Sequence, residues 1–180
     1  SRLLRLQGDA QATFDIMVVE ATAYVAIGGR TRASEIIDEG VWLAAAKPIS
    51  VDGYFQLGHL MARIGRINGA REVLPQASLR ATQNGAPNAW PIRLLTASVF
   101  LAERNGADAL AAVNQSTAPA DLEPFRLAVA ADAQVMSGQY DKALEAAKRL
   151  SESWHFGDEA QDEWLRGMLR MARISELAGD

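Results

Sequence analysis

The side chains best suited to chemistry in this 180-residue chain are few and dispersed. Its two histidines are His59 and His155, and it has no cysteine, so disulfides, thiolate nucleophiles and a histidine-rich metal site are excluded within it. His155 stands close to Asp158, Glu159 and Asp162, a nitrogen and oxygen set of the kind a divalent metal takes. The same carboxylates also read as the acidic first turn of a helix, favoured by the macrodipole. No HExxH, GxSxG or lysine-bearing phosphate loop occurs. A serine nucleophile needs a histidine base and an orienting acid, and no local pattern supplies them. The expectation is a chain with no catalytic residue, no metal and no cofactor.

Four tryptophans offer flat faces for a sugar or an aromatic ligand: Trp42, Trp90, Trp154 and Trp164. Three fall on or at the start of amphipathic helices and read as core. Trp154 falls with Phe156 in a turn, SWHFGD, and reads as well for partner contact as for local packing. The net charge is −4, and the arginines, among them Arg71, Arg80, Arg93 and Arg126, are scattered as solvated faces rather than gathered into a basic patch for phosphates. Direct nucleic-acid binding is therefore not expected. No apolar run is long enough to cross a bilayer and no signal peptide is visible, although a chain beginning at Ser1 leaves an earlier start open. The absence of cysteine does not choose a compartment, and both cytoplasm and periplasm stay open.

These residues must be positioned by helices. About half the chain is hydrophobic and roughly a fifth is alanine, the strongest helix former, while no alternating run makes a strand. The periodicity predicts helices over 10–27, 32–46, 51–64, 68–82, 89–103 and 107–114, two within 122–152, one on each side of Gly138, and one over 158–178. Ser50, Asn88 and Asp121 are the expected N-caps of the third, fifth and seventh. Pro91 and Pro124 suit first turns, whereas Pro75 falls inside the fourth helix and predicts a kink. The last helix reads as apolar on two faces, Trp164, Met168, Met171 and Ser175 on one and Leu165, Leu169 and Ile174 on the other. A missing helix or another chain is expected to cover the second, which makes a homo-oligomer through this helix one possibility.

The stretch from Phe125 to Leu150 is the clearest organising element. Its first half is small or apolar over about four turns. After Gly138, Tyr140, Ala143, Leu144 and Ala147 recur at three- and four-residue spacing. That is a helical hairpin, and its pattern returns upstream: Tyr54, Leu57, Gly58 and Met61 precede Gly65, and Ala70, Leu74 and Ala77 follow it. Ala21, Tyr24, Gly28, Ala33 and Ile37 repeat the spacing, as do Ala97, Phe100, Ala109 and Val113 if the turn glycine is displaced to Gly106. Taking Gly28, Gly65, Arg104, Gly138 and Gly179 as equivalent turn positions gives spacings of 37, 39, 34 and 41 residues.

The run GQYDKAL and its upstream counterparts resemble tetratricopeptide repeats, in the longer, divergent form found in bacterial regulators and envelope assembly proteins; the family period is about 34. The resemblance implies an all-α fold, a right-handed α-solenoid of antiparallel hairpins at 10–46, 51–82, 89–114 and 122–152 with a terminal helix at 158–178. These form a single repeat domain, read as an excerpt of a longer protein because both ends stop in mid-pattern. It further implies small residues where helices cross, at Ala21, Gly58, Ala70, Ala97, Ala131 and Ala143, because a larger side chain there would force the backbones apart.

In the family, first helices line a concave groove. Carried over, the groove residues are Phe55, His59, Arg63, Leu94, Ser98, Phe125 and Asp132. Co-chaperone members that grip an acidic carboxyl terminus place lysines, asparagines and an arginine at such positions. This chain has Phe55, His59, Phe125 and Ala128 there, which points instead to an apolar groove for a peptide or helix of another protein, or to a narrow groove that neighbouring side chains fill and that binds nothing. Asp132 and Arg63, set among apolar neighbours, must be paired or reach solvent. The implied function is a non-enzymatic protein-interaction scaffold; the alternative is an effector-sensing segment of a bacterial transcriptional regulator.

Overall fold

The computed structural model describes residues 10–153 and 161–179. Among the described residues there are nine α-helices and no strand. They are α1 (Ala10–Ala26), α2 (Arg30–Ala46), α3 (Val51–Arg63), α4 (Ile67–Gln83), α5 (Trp90–Ala102), α6 (Gly106–Val113), α7 (Glu123–Met136), α8 (Tyr140–Glu152) and α9 (Gln161–Ala178). The chain divides into two compact units, Ser1–Leu95 and Thr96–Asp180, and the division falls inside α5. In the first unit α1 packs on α2 and α3 on α4, with α3 also against α1 and α2. In the second, α7 packs on α6 and α8, and α9 covers both α8 and α7.

Among the described residues one turn closes five helices, at Gly28, Gly65, Gly85, Arg104 and Gly138, and at all but Gly85 it leads within two residues into a second helix. Gly28, Gly65, Arg104 and Gly138 adopt left-handed backbone, with φ of +79°, +86°, +61° and +68°. The next residue in each case donates its N–H to the carbonyl five residues back: Gly29 to Tyr24, Arg66 to Met61 and Asn105 to Phe100 at 2.8 Å, and Gln139 to Gln134 at 2.9 Å. The left-handed residue donates to the carbonyl three back, and the two bonds together satisfy the last carbonyls of the helix as a Schellman cap. Arg104 is the one non-glycine residue at positive φ among the described residues, and it is exposed.

The second helix of each pair starts from the same geometry. Gly29, Arg66, Asn105 and Gln139 have ψ of 54°, 59°, 77° and 63°, and their carbonyls accept from Ala33, Ala70, Ala109 and Ala143. Those four alanines are fully buried. Seven residues before each left-handed position stand Ala21, Gly58, Ala97 and Ala131, also buried. A methyl group at Gly58 would collide with Leu95 Cδ1, so the close approach there is made to α5.

Helix limits fall close to those expected, with differences at the caps. The Ser50 hydroxyl accepts from the Gly53 N–H at 3.0 Å, as expected of an N-cap. Asp121 is not a cap. The Pro119 carbonyl accepts from both Leu122 and Glu123, so a turn precedes the helix and Leu122 takes the boundary position without a side-chain bond. Nor does Asn88 flank α5: the Ala89 carbonyl accepts from Ile92 and Arg93, and the helix begins at Trp90. Helix α4 continues through Pro75, which lies on its exposed side.

The two-face division expected for α9 is also revised. Glu163, Gly167 and Ile174 are buried, while Met168 and Leu169 are both exposed, on the same side. Ile174 therefore belongs to the packed face and Met168 to the open one. Leu165 lies outside the described side chains.

Candidate functional site

The first helices carry most of the residues assigned to a groove, and burial divides them. Phe55, Leu94, Ser98 and Phe125 are 1%, 0%, 5% and 4% exposed. In this structure the four are enclosed by neighbouring side chains rather than open on a groove. The reason is visible in α3, where every residue from Gly53 to Gly58, then Leu60 and Met61, is buried. A helix packed on several sides at once has no apolar stripe left over for a guest. His59 and Arg63, at i+4 and i+8 from Phe55, are partly exposed, and the His59 ring is tilted 41° to that of Phe55 with centroids 5.6 Å apart. On the neighbouring face of α3, burial pushes the Tyr54 phenol up against the opposing charge of Arg80.

The crossing residues Ala21, Gly58, Ala70, Ala97, Ala131 and Ala143 are all buried. Of the tryptophans, Trp42 is 41% exposed, so it is not the core residue its helix position suggests. Trp90 is half-buried with the Arg93 guanidinium 5.5 Å from its ring, and Trp164 donates its indole N–H to the Ser151 carbonyl at 3.1 Å. Trp154 and Phe156 lie outside the described residues, as does the candidate metal set, of which His155, Asp158 and Glu159 have no described position and Asp162 no described side chain. Among the described residues no group of three or more histidine and acidic side chains could hold a metal ion, and no helix is long and apolar enough to cross a membrane.

Asp132 is paired. Arg170 of α9 donates from Nε and Nη2 to its two carboxylate oxygens, at 3.3 Å each, and Nη2 also lies 2.8 Å from Oε2 of Glu163. Glu163 is 2% exposed. Burial opposes the charge on Arg170, but the fields of Glu163 and Asp132 outweigh it and hold its pKa above the ordinary arginine value. The signal for this cluster was present in the sequence: Glu163 and Arg170 are seven apart, on one helix face with Gly167 and Ile174.

A second charged site lies where α6, α7 and α8 meet. Arg126 forms a fork with Glu123, Nε and Nη2 donating to Oε2 and Oε1 at 2.6 Å, and Arg149 Nη2 reaches the same Oε1 at 3.2 Å. The hydrogen bond to Glu123 raises the Arg126 pKa despite its partial burial. Two adjoining cavities of about 250 and 460 Å³ share Asn114, Arg126 and Arg149 in their walls. In the sequence Arg126 read only as one of several scattered cations; its pairing with Glu123 at i+3 was the local sign of something more. No family model, curated protein or solved structure matches this chain.

Proposed function

We propose that the chain is a stack of tetratricopeptide-like hairpins, arranged as an α-solenoid, that acts as a non-enzymatic scaffold for a protein partner. The supporting observation is the fourfold recurrence of one turn with its flanking small residues: left-handed backbone at Gly28, Gly65, Arg104 and Gly138, followed five residues later by a fully buried alanine. Units that share a turn and a crossing residue stack through the same contacts and extend a surface rather than close a pocket, which is how repeat proteins serve partners.

Burial of Phe55 and Phe125 moves the contact role along the same stripes to side chains that reach solvent. In the first unit these are Asp52, His59 and Arg63 on α3; in the second unit, taken by itself, Asp132 on α7 is the member that reaches solvent, and it faces Arg170. The α3 surface, with Asp52, His59 and Arg63, favours a partner segment of mixed charge over a purely apolar helix, with specificity set by charge complementarity. The test is a photo-crosslinking amino acid placed at His59 or Arg63, with Glu72 on the exposed side of α4 as the control, in an extract of the source cells. The expected outcome is one discrete protein adduct from His59 and Arg63 and none from Glu72. Adducts from all three positions alike, or from none, would refute the scaffold reading of this face.

A further inference from the structure

From the α6–α8 cleft we infer an oxyanion-binding site, in which Arg126 and Arg149 hold a carboxylate or phosphate carried by a small ligand. The cleft exists because α6 is short. It has 8 residues, where α2 and α4 have 17 each and α8 has 13. At 1.5 Å per residue it spans about 12 Å and then gives way to irregular backbone over 114–122. The flank of α7 and α8 that a longer helix would cover is left open.

What lines that opening is not only apolar surface: beside Leu127, Ala130 and Ala146 stand several charged side chains. Arg126, Arg149 and Lys142 line it together with Glu123 and Glu145, three cations to two carboxylates, on a chain whose net charge is −4. Glu123 is shared by two guanidiniums. Its fork to Arg126 is complete, and the Arg126 side chain is only 16% exposed. Arg149 is held by a single 3.2 Å contact and is 56% exposed. An arriving oxyanion can therefore draw Arg149 away from Glu123 while the Arg126 pair stays formed. Guanidinium suits the task, since its planar donors match carboxylate and phosphate oxygens two at a time.

Glu123 thus competes, from within the chain, with the ligand's anion for the Arg149 guanidinium. The cleft continues along α7 to Gln134, whose buried amide oxygen accepts no hydrogen bond. That acceptor lies eight residues, about 12 Å, from Arg126 and suits a ligand with a donor at its far end. Residues 126, 130 and 134 run along the side of α7 away from Asp132, so the site does not depend on the scaffold reading.

The test is calorimetric titration of the full chain at low ionic strength with inorganic phosphate, glutamate and citrate as probes, and sodium chloride at matched ionic strength as the control. Saturable binding of at least one probe is expected, with the phosphate and carboxylate arms separating the two sources of the anion. Arg149→Gln should weaken it about tenfold or more, the loss of a charge-assisted contact. Glu123→Gln should tighten it, because the internal competitor is gone. A response that follows ionic strength alone, an unchanged affinity in Arg149→Gln, or no gain in a folded Glu123→Gln chain would overturn the site. Should Glu123→Gln fail to fold, the exposed Arg149→Gln and Arg149→Lys variants decide, Lys retaining part of the affinity and Gln little.

Discussion

Replacing Arg104 by glycine should stabilise the protein, and replacing Gly65 by alanine should destabilise it by a similar amount. Both positions hold left-handed backbone, φ +61° and +86°, and close the same pair of hydrogen bonds. Holding a non-glycine residue in that region costs about 1–2 kcal/mol. Glycine gives back about 0.5–1 kcal/mol through the greater freedom of its unfolded chain. The net is about 0.5–1 kcal/mol in favour of glycine at either position. Packing adds little, because Arg104 is exposed and a Cβ at Gly65 meets no atom within 4 Å. Thermal and urea unfolding followed by helical circular dichroism should show Arg104→Gly raising Tm by about 1–4 °C and Gly65→Ala lowering it comparably. The double variant should return near the parent, since distant sites add. If Arg104→Gly lowers stability, or Gly65→Ala raises it, the four turns are not equivalent and the repeat reading loses its support.

Two further outcomes follow from packing. Gly106→Ala should destabilise by about 1–3 kcal/mol, because its Cβ would stand 2.8 Å from the Ala133 carbonyl oxygen, and backbone cannot yield as a flexible side chain does; urea unfolding measures it. Arg170→Met should cost about 3 kcal/mol or more, since it removes the guanidinium facing Glu163, which is 2% exposed. Asp132→Asn, at the 44% exposed end of the same cluster, should cost less than about 1 kcal/mol, and equal losses in the two variants would show that burial does not govern this site.

Much of the helical framework was readable because its signals are local. A left-handed cap needs no partner beyond its own helix, so Gly28, Gly65 and Gly138 announce it. Arg104 was found only by spacing, since an arginine carries no mark of positive φ. Ser50 and the proline at 124 behaved as their local chemistry dictates. Asp121 and Asn88 did not, because a turn closed by the Pro119 carbonyl and another ending at Ala89 moved each helix start beyond the side chain's reach. The burial of Phe55, Leu94, Ser98 and Phe125 was not readable for a different reason. Spacing identifies which residues share a stripe, as it did for Phe55, His59 and Arg63, but not how many neighbours that stripe will meet.

Taken alone, the order of residues determined the all-helical class, the placement of the turns and the recurrence of small side chains on either side of them, since each depends on backbone conformation within a few residues. Tertiary structure decided what each face became. It enclosed Phe55 and Phe125, set Met168 and Leu169 toward solvent, joined Asp132 to Arg170 and Glu163, and left Arg126 and Arg149 around one glutamate beside a helix that stops early. Burial and charge pairing depend on side chains brought together from distant parts of the chain, and packing between helices chooses those neighbours.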